Sequence, residues 1–595
     1  MLKRAKMLFN NKIWNLITGI LFPLILVLFS LMHITEGITV TDTGYNYGNY
    51  IFFDSLDDMW KFSTYLANVV GVFFTKLPLG TTLLGLNLYT GIVKAITALA
   101  AYYLCVNVCK MSKELVFLGE LLALGLCWCP TALLYNYMTY LLFNLSALFI
   151  FCAFKTMKNR YFVLAGICLG LNLMVRIPNL AEVALILCVW FGGIVYKKNF
   201  KNIVQDTLFC MMGYFLSVGT VLCYIAVRYG MNRYIEGIKA LFAMTEDATS
   251  YSAVSMIKSS LNMYLSYSKW FVCLIMMMAA GTVGFLFFKE KLMLLKKIAV
   301  YMMVVAYVFL AYSRKQFTLD YRNYTSMFFW GTLFLMIALV LGAITMFFIR
   351  CEQELKVLAS LAVVIVLITP IGSNNGLYSP MNNLFLVAPV VLFVINHLSS
   401  EAKISVLKDK LKLSIYPLKA VLIGFVAVVL IQSIVFGACF VFRDGNDGEK
   451  RNYQVENNEV LSGMKTTKHN AENLQGLNDY LEKNDLKGKE VLLYGNVPAV
   501  SFYFEMKPVL STTWPDLDSF SYTKFQAEMD NLKADISPVV ITNPDTAVYL
   551  REQENLKNVE GTWKKKVERL YFFLEQNNYE ESYSNAGFVV YEIAK

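Results

Sequence analysis

The segment Thr41-Asp42-Thr43-Gly44-Tyr45-Asn46-Tyr47-Gly48-Asn49-Tyr50 sets a single carboxylate among glycines, tyrosines and asparagines. A carboxylate so placed can take a proton from a hydroxyl group. Tyrosine faces stack on C–H patches, and asparagine amides donate and accept together, so Tyr45 and Asn46 suit a polyhydroxylated ligand. The plainer reading is that Asp42 caps a short helix beginning at Thr43. Asp-Thr-Gly is also the aspartic-protease string, but that chemistry needs two aspartates sharing one proton, and the sequence offers one.

Cations that could meet a phosphate occur in two places. Arg176, in Met174-Val-Arg-Ile-Pro178, closes an apolar stretch. A charge at membrane depth is costly enough to mark function, unless it snorkels or pairs with Glu182. In the run 313–323, Arg314, Lys315 and Arg322 surround Asp320; a solvated, self-paired loop would look the same. Glu246, Asp247 and Asp320 are candidates for a second acid, against the ordinary reading of exposed acids at a helix end or in a loop. Asn374 and Asn375, in Gly372-Ser-Asn-Asn-Gly-Leu-Tyr-Ser-Pro380, offer amides to a sugar, although turns share that composition. Only three histidines occur, far apart, which argues against a histidine-rich metal site and a Ser-His-Asp triad. Cys127-Trp-Cys129 lies within an apolar stretch and reads as packing.

The elements that must hold these residues are apolar. Of 595 residues, 57% are hydrophobic and 16% charged, where a soluble domain carries roughly a quarter charged. Thirteen stretches approach the ~20 residues that cross a bilayer: about 13–33, 80–106, 115–130, 131–154, 161–176, 177–196, 203–227, 270–288, 298–312, 326–349, 355–371, 382–398 and 416–441. With Met1 cytoplasmic, 23 of the Lys and Arg residues in 1–441 fall in inner loops and 11 in outer segments, as the positive-inside rule requires. The first stretch is too long for a signal-peptide core and reads as a retained helix. Four outer segments are long (34–79, 228–269, 313–325 and 371–383), and long loops in compact folds tend to carry function. In 57–75 the apolar residues recur at helical spacing, as in a helix lying in the interface plane.

Residues 1–441 carry 35 Lys+Arg against 18 Asp+Glu, whereas 442–595 carry 18 against 25 and no cysteine. The expectation is a membrane domain over 1–441 and an extracytoplasmic soluble α/β domain over 442–595. Strands are expected at 490–494, 538–542 and 587–592, and helices from 498 and over 564–576. No phosphate-binding glycine motif is present, and the basic excess lies in inter-helix loops, so no nucleic-acid partner is implied.

An acid just past the first membrane helix, a long first outer loop, eleven to thirteen spans and an outer terminal domain together resemble the GT-C superfamily. These are integral-membrane glycosyltransferases that use polyprenyl-phosphate-linked sugars, among them protein O-mannosyltransferases, aminoarabinose transferases and oligosaccharyltransferases. The resemblance implies that Asp42 is the general base on an acceptor hydroxyl, or helps hold a divalent metal in metal-dependent members. It implies a polyprenyl-phosphate sugar donor and a cell-envelope glycan, lipid or protein acceptor, at the plasma membrane. The sequence departs from the mannosyltransferase Asp-Glu pair, since Thr43 follows Asp42. It also lacks the Trp-Trp-Asp acceptor signature, to which Thr513-Trp514-Pro515-Asp516 is a faint echo. An Arg-Pro or Arg-x-Pro like that at Arg176 recurs in the superfamily. Rival readings are a transporter or flippase of lipid-linked glycans, which would show internal repeats that this sequence lacks, and a polysaccharide polymerase or ligase.

Overall fold

A computed structural model describes residues 13–14, 16–129, 131–247, 253–287, 292–373, 375–398, 403–406, 411–444, 449–532 and 537–594. Among them, eight helices are long and apolar enough to cross a bilayer: Leu83–Asn107, Leu134–Thr156, Ile177–Val195, Phe200–Arg228, Val254–Leu286, Met293–Ser313, Thr325–Phe347 and Tyr416–Cys439. The chain is a multi-pass membrane protein. All thirteen expected stretches carry a helix, but eight rather than thirteen meet the length criterion. Ile17–Ser30, Lys113–Leu126, Arg160–Val175, Gln353–Ile368 and Val387–His397 are shorter. At 1.5 Å per residue, even a 16-residue helix reaches only about 24 Å, short of a core of about 30 Å.

The 57–75 stretch forms two short helices, Asp58–Ser63 and Tyr65–Thr75. Asp57 caps the first by accepting from the Met59 N–H at 2.9 Å, as expected of a short acid at an N-terminus. That helix packs against Met231–Asp247, where Asp58 accepts both arms of Arg233 at 2.6 and 2.9 Å. Asp57 is also ion-paired to Lys524.

Beyond the last long helix the chain builds a five-stranded sheet. Its order is Lys507–Pro508, Glu490–Tyr494, Val539–Thr542, Val589–Ile593 and Tyr579–Ser584. The first three strands are parallel, and Val589–Ile593 runs antiparallel to both its neighbours. Alternation divides the side chains between two faces. Leu492, Val540 and Tyr591 pack on Phe525 and Leu570. Val491, Leu493 and Ile541 pack on Leu474, Leu477 and Leu481 of the helix Lys468–Lys483. This second core does not stop at the sheet: it runs on through Val497, Ala499 and Phe502 to Ile38, Tyr47, Leu83 and Leu86, at the end of the membrane bundle.

The segment between the first apolar helix and Asp42 is held almost entirely by this distant part of the chain. The Lys465 N–H donates to the Thr35 carbonyl at 2.8 Å, and the Gly37 N–H to that of Lys465 at 3.1 Å. Asn470 Nδ2 donates to Ile38 at 2.5 Å, Tyr503 OH to Thr39 at 2.6 Å and the Ala499 N–H to Val40 at 3.0 Å. Backbone groups taken out of water must find such partners. The helix Asp42–Ile51 then begins against Ala499 so tightly that a Cβ built on Gly44 would lie 2.0 Å from the Ala499 Cβ.

Gly44→Ala is therefore expected to push this helix off the terminal sheet and lower the thermal unfolding temperature of the detergent-solubilised protein, at a cost of about 1–3 kcal/mol or more. Gly219→Ala, where nothing lies within 4 Å, should leave stability unchanged or raise it slightly. Equal effects at the two positions would contradict the packing described.

Candidate functional site

A cavity of about 260 Å³ lies among the ends of the apolar helices and the segments that join them, and Asp42, Arg176, Asn375 and Arg443 all line it. Asp42 is the first residue of its helix, where the helix dipole favours a negative charge. Thr41 occupies the N-cap and no side chain caps this end, so Asp42 does not serve as the cap. Its side chain keeps an exposure of 30% and faces the Arg443 guanidinium at 3.8 Å.

Burial pushes the Asp42 carboxyl above the usual carboxylate range; Arg443, the backbone N–H of Asp42 and the Thr41 hydroxyl act in the opposite direction. Arg443 stands three residues after Phe440, the residue that follows the last membrane helix, with left-handed backbone at φ 39°. The next residue anchors it. Asp444, whose side chain is fully buried, faces Arg451 at 3.2 Å, takes a hydrogen bond from Asn470 Nδ2 at 3.0 Å and is bonded to Thr466. Asn470 also holds Ile38, so one helix of the terminal sheet positions both Asp42 and Arg443.

Arg176 enters the cavity because Pro178 cannot continue an α-helix. The helix Arg160–Val175 ends before it, Arg176 is extended, and a 3₁₀ stretch follows over Ile177–Leu185. Its guanidinium donates to the Gly372 carbonyl at 2.7 Å and lies over the Tyr135 ring at 5.4 Å. Gly372 has φ +98°, and a Cβ there would sit 2.5 Å from Pro178, so this contact needs glycine. Glu182 lines the cavity too, but Asn172, rather than Arg176, is its hydrogen-bond partner. Asn179 donates to Thr139 at 2.7 Å and to the Asn172 carbonyl at 3.0 Å. The far wall is aromatic: Trp128 stacks on Tyr324 at 5.6 Å and donates to the Tyr378 carbonyl at 3.3 Å.

The structure sorts the other sequence candidates. Arg314, Lys315, Asp320 and Arg322 are exposed and none lines the cavity; their loop reaches it through Tyr324. Asp320 instead organises its own turn, accepting from the Arg322 N–H at 3.2 Å. Tyr45 and Asn46 do not line the cavity either. Helical spacing puts Tyr45 on the same face as Asp42, one turn on, yet its ring is taken up by packing. Tyr45 lies between Trp60 and Trp514, with ring centroids at 6.1 and 5.5 Å, and Asn46 Nδ2 is committed to the Asp42 carbonyl at 2.7 Å. Asn374 lies outside the described residues, as do the side chains of Glu246 and Asp247 on the helix Met231–Asp247. Sequence reasoning missed Arg443, whose only signal was its place just after the last apolar stretch. Among the described residues no three His, Cys, Asp or Glu side chains gather as metal donors.

In comparisons with known proteins, no protein-family profile matches the chain and no curated protein matches. Among solved structures, it is similar to ArnT from Cupriavidus metallidurans bound to undecaprenyl phosphate, at 11% identity and a TM-score of 0.41 over 97% of each chain. It is also similar to the Archaeoglobus fulgidus oligosaccharyltransferase in complex with Zn and sulfate, at 12% identity and a TM-score of 0.45, over 96% of this chain and 73% of that one. A third is AglB from the same organism with an inhibitory peptide and a dolichol-phosphate, at 12% identity and a TM-score of 0.44, over 98% and 75%. The functional reading rests on the geometry of the cavity itself.

Because its carboxyl is raised, folding favours the protonated form of Asp42. The ionised form costs stability, a cost absent below the ordinary value of about 3.9 and complete above the raised one. Asp42→Asn is expected to unfold at a higher temperature than the natural protein at pH 7, with the difference shrinking towards pH 4. A lower unfolding temperature at pH 7 would mean that the Arg443 contact outweighs burial.

Proposed function

We propose that this protein is an integral-membrane glycosyltransferase that moves a sugar from a polyprenyl-phosphate-linked donor to a hydroxyl of an envelope glycan, lipid or protein. The reading takes residues 1–441 as the membrane domain and 442–595 as an extracytoplasmic α/β domain, with the N-terminus cytoplasmic. One observation carries it: a lone accessible carboxylate shares a cavity at the rim of the membrane bundle with two arginines contributed by distant parts of the chain.

In this mechanism Asp42 takes the proton of the acceptor hydroxyl as its oxygen bonds to the anomeric carbon. The bond from that carbon to the phosphate oxygen breaks, and the electron pair leaves with the lipid phosphate. Arg176 stabilises the negative charge growing there, as a guanidinium does best. Arg443 takes the role first considered for the 314–322 cluster, as the second cation of the cavity, and opposes the rise that burial imposes on the Asp42 carboxyl. Asn375 and Asn382 offer amides to the sugar from the opposite wall. Among the described residues Asp42 and Glu182 are the carboxylates on the cavity wall, and Glu182 is bonded to Asn172, so each step is assigned to a side chain.

In proteoliposomes holding the full chain and a lipid-linked sugar, Asp42→Asn should reduce formation of new glycoside by about 10²–10⁴-fold, with insertion retained and no loss of thermal stability. Arg176→Ala should lose about 10²–10³-fold. Full transfer by Asp42→Asn, or movement of intact lipid-linked sugar without glycoside formation, would remove the assignment.

The acid limb of the pH–rate profile should lie above the ordinary carboxylate value, and Arg443→Ala should move it further towards alkaline pH, because loss of the cation leaves burial unopposed. An unmoved limb would show that Arg443 does not set the ionisation of Asp42.

A further inference from the structure

Behind Trp128 lies a second, smaller cavity of about 80 Å³, which shares Trp128, Cys129 and Phe442 with the first as common walls. On the scale where one water needs about 10–15 Å³, it has room for a tetrahedral oxyanion. Lys94, from the middle of the membrane helix Leu83–Asn107, lines it, as do Thr39, Thr43 and Thr131. The Lys94 ammonium is half-buried and sits 6.0 Å from the Tyr137 ring centroid. Among the described residues it has no ion-pair partner and no hydrogen-bond acceptor.

A cation held at this depth is expensive and calls for an anion. The other charged groups of the cavity do not provide one, because His33 and Glu36 close on each other. His33 Nδ1 lies 3.3 Å from the Glu36 carboxylate and Nε2 lies 2.9 Å from the Gly437 carbonyl. The hydrogen bond to His33 first, with Arg451 and Lys465 from the terminal part adding to it, holds the Glu36 carboxyl below the usual range against burial. The Glu36 carboxylate is turned to His33 rather than to Lys94, and Lys94 is left facing the cavity without an ion-pair partner among the described residues. The remaining walls are apolar, with Phe29, Leu124, Phe436 and Phe440 drawn from three membrane helices.

We propose that Lys94 makes this cavity a second oxyanion subsite, which takes a phosphate group with an apolar chain laid along the neighbouring helices. Thr43 adds a hydroxyl donor beside the cation, whereas Thr131 donates to Asn87 Oδ1 at 3.0 Å. That the chain is a polyprenyl rests on the function proposed above; the oxyanion site itself does not. In that setting the subsite receives the phosphate of a carrier lipid beside, not inside, the cavity of Asp42 and Arg176.

The test uses the full chain in detergent, with decaprenyl phosphate and inorganic phosphate as separate probes and native mass spectrometry to count bound copies. The natural protein should bind two decaprenyl phosphates, and Lys94→Met should weaken one of them by about 10- to 100-fold, the worth of a charge-assisted contact. Arg176→Met should weaken the other. Lys94→Arg should retain both, and an unchanged unfolding temperature separates lost binding from lost fold. Should Lys94→Met fail to fold, Thr43→Val, which removes a donor and keeps the volume, is expected to weaken the same copy. Lys94-dependent binding of inorganic phosphate but not of the lipid would keep the oxyanion subsite and assign it to the free anion. Two copies bound with undiminished affinity to Lys94→Met, or no phosphate binding that depends on Lys94, would overturn the proposal. Either result could stand beside intact glycosyl transfer, and Lys94-dependent binding could stand beside its absence, so the two readings fail separately.

Discussion

The polar segment 35–42 cannot leave water unless something satisfies its backbone, and the membrane helices reach only the residues before it, Asn87 at Ile34 and Gly437 at His33. That constraint governs the rest of the architecture. Lys465, Asn470, Ala499 and Tyr503 supply the missing hydrogen bonds from more than 400 residues further along the chain. The sheet is thus part of the scaffold that holds Asp42 at the cavity rim, and the core behind it is shared with Leu83 and Leu86 of a membrane helix.

The same arrangement sets the electrostatics. A carboxylate half-withdrawn from water needs a nearby positive charge to stay ionised, and the link from the last membrane helix to the sheet brings one in Arg443. Asp444 pins that link to Thr466, Arg451 and Asn470, the last of which also grips Ile38. Acid and guanidinium therefore move with one support, and their separation depends on the docking of the sheet more than on the membrane helices. Arg176 is positioned independently, by a proline-terminated helix and a glycine carbonyl. Two separate supports thus bring one acid and two guanidinium groups to a single cavity.

Much of this was legible from residue types. Apolar runs marked every membrane helix, because burying them in lipid is favourable whatever their neighbours are; their true lengths were less legible, since helix ends such as Val175 are set by Pro178 and by packing. Strands at 490–494 and near 540 and 590 were legible because fully buried β-branched runs are bounded by turn residues. The strand Tyr579–Ser584 was not, because Glu580, Glu581 and the serines of an exposed edge carry little apolar signal. Asp42 and Arg176 stood out because a charge beside an apolar run is costly. The 314–322 charges stood out for the same reason, yet none of them lines the cavity.

The sequence by itself determined a multi-pass membrane protein, an acidic cysteine-free C-terminal part with alternating strands and helices, and the two charged residues most expensive to place. These follow from local composition and periodicity, which act within a few turns of chain. Only the tertiary structure decided that Arg443 rather than Arg322 joins Asp42, that Tyr45 packs between two tryptophans, and that Lys94 faces a cavity of its own. Each of those facts depends on which surfaces meet across hundreds of residues, and a helix of given sequence presents its side chains to a direction that only its packing partners fix.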